Sequence, residues 1–152
     1  MVSRLHPLRI EASFPSRPYH LGDTVPVAAK LFADAHTIIR HGVAEVLCEE
    51  HYVERYEVDV PLHEGTQALR PSVLHEIVVK PHTDHYLQGS AMIAEDLELR
   101  PGESREFHVD LRIEEEPPPN IEISSTTWHV AFRFDIAMAR DLAVRMPIDI
   151  VV

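Results

Sequence analysis

Residues 99–136 read LRPGESREFHVDLRIEEEPPPNIEISSTTWHVAFRFDI. Leu99-Arg100-Pro101-Gly102-Glu103 is a tight turn, because proline presets φ and glycine supplies the positive φ of a type II turn. Beyond it Phe107, Val109, Leu111 and Ile113 alternate with His108, Asp110 and Arg112. After Glu114 to Asn120 the alternation returns as Trp128, Val130, Phe132, Phe134 and Ile136. A period of two over such lengths predicts strands with one buried face. A strand, a proline-rich crossing loop and a long aromatic strand predict an all-β sandwich of two sheets.

The same signals recur upstream. Leu8, Ile10, Ala12 and Phe14 alternate with Arg9, Glu11 and Ser13, a strand that Pro15 and Pro18 end. Leu21-Gly22-Asp23 turns the chain into Val25, Val27, Ala29 and Leu31. Pro26 cannot donate to a ladder, so it predicts an edge strand or a bulge. His41-Gly42 opens a run from Val43 to Cys48, and Tyr52 to Val60 makes another. Residues 61–71 read as a loop. Val73 to Val79 reads as a strand stopped by Pro81, and Ala91 to Leu99 as a further strand. Ala91 to Leu97 and Ile136 to Leu142 contain good helix formers, but neither is capped or holds a 3.6-residue period for three turns. The first is read as a strand, the second as a strand end and a turn. The acidic and proline run Glu114 to Pro119 reads as a stiff, wet connection between sheets rather than a ligand for a proline-recognising domain.

Composition narrows the function classes. The 152 residues suit one domain spanning 1–152, with 45% apolar and 26% charged residues. Asp and Glu number 25 against 14 Lys and Arg, a formal net charge of −11, and only Lys30 and Lys80 are lysines. Such a surface repels phosphate backbones and anionic headgroups, which excludes nucleic acid and acidic membrane as expected partners. No apolar run is long enough for a membrane span, and no signal peptide is expected. The single Cys48 points to a reduced, cytoplasmic setting.

Eleven histidines prompt a search for a metal site. His82-Thr83-Asp84-His85, expected in a loop behind Pro81, is the one tight cluster of ligand types. His82, Asp84 and His85 are therefore the candidate ligands for Zn²⁺ or Ni²⁺, with a third imidazole needed from His36, His63 or His75. The plainer expectation is that scattered surface histidines bind nothing. His108 and His129 each sit on the polar side of a strand and, on neighbouring strands, would face one another. For covalent catalysis there is little: no Gly-x-Ser-x-Gly elbow, and Cys48 lies beside Glu49 and Glu50, which raise a thiol pKa. Five glycines, none in a Gly-x-Gly pair, supply no nucleotide cradle. No catalytic residue and no cofactor are expected.

Three stretches are similar to the arrestin-like domain: Tyr19-His20-Leu21-Gly22-Asp23-Thr24-Val25-Pro26-Val27; Ile38 to Cys48; and the run from Leu99-x-Pro-Gly-Glu through Phe107-x-Val-x-Leu, Pro117-Pro118-Pro119, Ser124-Ser125 and Trp128-His129-Val130 to Ile148-Asp149-Ile150. The resemblance implies a two-sheet, immunoglobulin-like sandwich whose job is to hold other proteins, as a non-enzymatic scaffold or adaptor. It departs from the family where relatives carry phosphate-reading lysines: Arg4, Arg9 and Arg17 are the cations near the first strand. Most relatives have two such domains, and this chain has length for one. A protein partner bound through a sheet edge or the end loops is expected, with a homodimer through a merged sheet. The expected core is Leu8, Ile10, Val25, Val27, Leu31, Val46, Phe107, Val109, Leu111, Trp128, Val130, Phe132, Phe134, Ile148 and Ile150.

Overall fold

The computed structural model describes residues 7–61 and 73–152. Among the described residues nine strands are formed: β1 (Leu8–Ser13), β2 (Tyr19–His20), β3 (Thr24–Ala33), β4 (Thr37–Pro61), β5 (Val73–Leu99), β6 (Ser104–Arg112), β7 (Ser125–Ile136), β8 (Leu142–Pro147) and β9 (Ile150–Val151). They make an antiparallel sheet β1-β3-β6, an antiparallel sheet β5-β4-β7-β8 and a small parallel pair β2-β9. Between the sheets, Leu8, Val25, Val27, Leu31 and Leu111 join Val46, Trp128, Val130, Phe132, Phe134 and Ile148 in one buried cluster, as expected. Ile10, Phe107, Val109 and Ile150 pack at its margin. Tyr19, Ile39, Leu99 and Ile113 are fully buried additions.

Turn chemistry behaves as read. Gly102 has φ 81°, and Glu103 N donates to Arg100 O at 3.0 Å. Gly22 has φ 87°, and Asp23 Oδ2 accepts from His20 N at 2.8 Å. Pro26 lies on β3 opposite Asp110 of β6, beyond the end of β1, whose pairing stops at Ser13 opposite Ala28. β3 has one neighbour there, so the missing donor leaves no ladder bond unmade. In the crossing run Pro118 is buried, while Pro117 and Pro119 on either side of it are exposed.

The two expected breaks, at residues 49–51 within β4 and 80–90 within β5, are absent. Val43 to Cys48 and Tyr52 to Val60 belong to one strand of 25 residues, and Val73 to Leu99 to one of 27. Pro81 does not stop β5: it pairs with Val53. β5 is an edge strand, so a proline can sit in it with its nitrogen turned away from the ladder. Register shifts between Gly42 and Val43 and between Val46 and Leu47 bend the long pair without breaking it. The second shift lies opposite Gly89, where a Cβ would stand 2.2 Å from Arg112 O. Glycine here lets β5 press its backbone against the end of β6, a join sealed by Glu114 N donating to Gln88 O at 2.8 Å. The expected loop at residues 61–71 lies, apart from Pro61 itself, outside the described residues.

Candidate functional site

β4 and β5 outrun the sandwich. β7 pairs with β4 from Ile39 to His51, where His51 stands opposite Ser125. Beyond that point β4 and β5 continue as a two-stranded ribbon from Tyr52 opposite His82 to Pro61 opposite Val73. At about 3.3 Å per residue this is an arm about 30 Å long. Among the described residues no strand flanks the arm on the side that β7 occupies nearer the core. The backbone donors and acceptors of β4 there are an open edge.

Apolar side chains are displayed on the arm. Ile77 is 66% exposed, Val53 and Val79 each 53%, and Tyr56 44%. Opposed residues in an antiparallel pair share a face. One face therefore carries Val53, Arg55 and Glu57 beside Pro81, Val79 and Ile77, and the other Tyr52, Glu54 and Tyr56 beside His82, Lys80 and Val78. The base is braced on both faces. Tyr52 stacks on His82 with ring centroids 5.3 Å apart and donates its hydroxyl to Asp84 Oδ2 at 2.8 Å. That hydrogen bond, helped by burial and the Asp84 charge, raises the Tyr52 pKa above its ordinary value. On the opposite face Glu49 gathers Arg145 at 3.0 Å, His85 at 3.5 Å and His51 at 3.6 Å.

The three candidate metal ligands are on β5, not in a loop. Strand parity places His82 and Asp84 on the face of Tyr52 and His85 on the face of Glu49. His82 Nε2 is 2.6 Å from Glu54 Oε2, and His85 turns to Glu49. Two imidazoles on opposite faces of one strand do not converge on one ion. Of the proposed third ligands, His36 pairs with Glu98 at 2.7 Å and His75 with Asp59 at 2.6 Å, while His63 lies outside the described residues. Among the described residues no three His, Cys, Asp or Glu side chains are close enough to hold an ion. His108 and His129 are not neighbours either: His108 on β6 opposes Ala28, and His129 on β7 opposes Leu47 and Pro147 in the other sheet.

Cys48 is fully buried, and its thiol is pushed up to about 12, by burial first and then by Glu50 and Glu49. A buried thiol held protonated packs as a small apolar side chain. Glu50 was not singled out from the sequence. It is fully buried beneath the crossing connection, and nothing short-range in the sequence marks it.

No protein-family model and no curated protein matches this chain. Among solved structures, the sporulation control protein Spo0M from Bacillus subtilis superposes with a TM-score of 0.67 at 11% sequence identity, over 97% of this chain and 51% of that one. The fold is arrestin-like. This chain spans about half the length of Spo0M, and at that identity the likeness is one of fold. On the arrestin-like frame the arm is an extension of two core strands, held at its root by Glu49, Tyr52 and Asp84. No described helix is long and apolar enough to cross a membrane.

Proposed function

We propose that this chain is a non-enzymatic protein-interaction module of arrestin-like fold, which takes an extended segment of a partner protein onto the open β4 edge of its arm. One observation carries this: β7 leaves β4 at His51, and β4 runs on to Pro61 with its ladder groups unpaired on that side among the described residues. Strand addition supplies main-chain hydrogen bonds, while alternate side chains read the partner. Val53 and Tyr56, one on each face, are suited to that reading. The single Cys48, buried and free, suits a reducing cytoplasmic setting.

The test is a selection of displayed random peptides against the intact chain, followed by amide hydrogen exchange with a selected peptide bound. Slowed exchange along Tyr52–Asp59 is expected. Protection confined to the turns at 14–18 and 137–141, or no peptide selected, overturns the reading.

A further inference from the structure

The open edge is complementary to itself, and we propose that two copies of this chain pair antiparallel through β4, centred on Tyr56. The inference rests on the strand-addition reading above and names one occupant of the same edge, a second copy.

Two independent features meet at one residue. The first is geometric. The open stretch begins at Tyr52, next to His51 where β7 leaves, and ends at Val60, because Pro61 has no donor. Its midpoint is Tyr56. In a two-fold pairing about Tyr56 each copy of Tyr52 faces Val60 of the other, so the new ladder uses the whole stretch and meets neither β7 nor the proline.

The second is charge. Opposed residues must share a face, so the permitted registers move the centre one residue at a time along β4, each pairing only residues of like parity. Centred on Tyr56, Arg55 faces Glu57 twice by symmetry, Glu54 faces Val58, and Val53 faces Asp59. Centred on Arg55, two guanidinium groups meet directly. Centred on Glu57, two carboxylates meet. The register that fills the edge is thus flanked on both sides by registers with like charges opposed, which disfavours slippage. The Tyr56 rings pair across the axis on one face while the two Arg55–Glu57 pairs form on the other. The result is a continuous four-stranded ribbon, β5-β4-β4-β5. An incoming partner strand competes for the same edge, so self-pairing holds it closed until a better strand arrives.

The experiment uses the full chain and analytical ultracentrifugation over a concentration series. Reversible dimers are expected. Arg55→Glu places like charges opposite one another at two places and weakens the dimer on the order of tenfold or more. The double exchange Arg55→Glu with Glu57→Arg restores it, a rescue that a merely structural role for Arg55 does not produce. Tyr56→Cys adds a geometric readout. Its two copies lie within the 4.4–6.8 Å Cα separation of a disulfide and close a covalent dimer under mild oxidation. The two copies of Arg55→Cys, about 8 Å apart, do not close one. A monomer at every concentration, an unrescued double exchange, or cross-linking through Arg55→Cys instead of Tyr56→Cys overturns the pairing. Run at concentrations where the chain is monomeric by ultracentrifugation, the peptide-protection test is independent of these results, so strand addition stands or falls separately.

Discussion

The carboxylate of Glu50, fully buried, accepts from the backbone amide of Asn120 with both oxygens, at 3.1 and 3.2 Å. This contact ties the crossing connection down onto β4, one residue before the last that β7 covers. Asn120 O in turn accepts from Ile123 N and Ser124 N, so the same residue closes the turn that delivers the chain into β7. A hydrogen bond to a charged group contributes about 1.5–3 kcal/mol. Glu50→Ala should therefore lower stability by about 1.5–3 kcal/mol in urea titrations. Glu50→Gln keeps an acceptor without the charge assistance, which roughly halves the effect to about 1 kcal/mol. Glutamate-specific proteolysis in the Glu114–Glu116 run should accelerate with Glu50→Ala and much less with Glu50→Gln.

The Cys48 thiol gives a pH signature. Burial first, then Glu50 and Glu49, raise its folded pKa from 9.0 to about 12. Above pH 9.0 the unfolded chain releases this proton and the folded one keeps it, so the unfolded state binds fewer protons and stability falls with rising pH. The Cys48 contribution is complete below about pH 9 and is progressively lost up to about pH 12. Cys48→Ala should flatten the alkaline slope of thermal stability while creating at most a small void. Native protein at pH 8 should resist a thiol reagent that labels it at once in guanidinium; prompt labelling of native protein is the contrary result.

Much of the sandwich is legible in the chain because its cues are local. Pro101-Gly102 specifies a turn, and the alternation in Phe107–Ile113 and Trp128–Ile136 specifies which face is buried. The arm is not legible for the opposite reason. Pro81 reads as a terminator unless its strand is known to be an edge, and edge status follows from the sheet order, in which β5 has β4 alone as its neighbour. With Pro81 read as a terminator, His82, Asp84 and His85 fall in a loop; on β5, strand parity puts His85 on the face opposite His82 and Asp84. Glu50 was hidden because its partner lies 70 residues away.

Tyr19 shows how a short strand is held. Its ring is fully buried, its hydroxyl donates to Pro15 O at 2.7 Å, and the Arg17 guanidinium lies 4.2 Å over the ring centroid. Tyr19→Phe keeps the packing and strands the Pro15 carbonyl, an expected loss of about 0.5–1.5 kcal/mol by chemical denaturation. Tyr19→Ala also removes a large core side chain and should cost about 3–5 kcal/mol, by analogy with other buried aromatics.

Gly89 offers the sharpest steric test, because its obstacle is backbone. A Cβ there meets Arg112 O at 2.2 Å and Arg112 C at 3.3 Å, and neither atom can swing aside as a side chain would. Gly42 is a softer case: its added Cβ meets the Phe134 ring at 2.7 Å, and a ring can tilt. Both substitutions overpack the interior, which typically costs about 1–3 kcal/mol. Gly89→Ala should fall at the upper end and Gly42→Ala at the lower. The two differ in where they act. Forcing β5 off β6 at Gly89 also breaks the bond from Glu114 N to Gln88 O, so amide exchange at Glu114 should speed up in Gly89→Ala and stay slow in Gly42→Ala. Equal exchange at Glu114 in both variants would show that the two sheets are not joined through this contact.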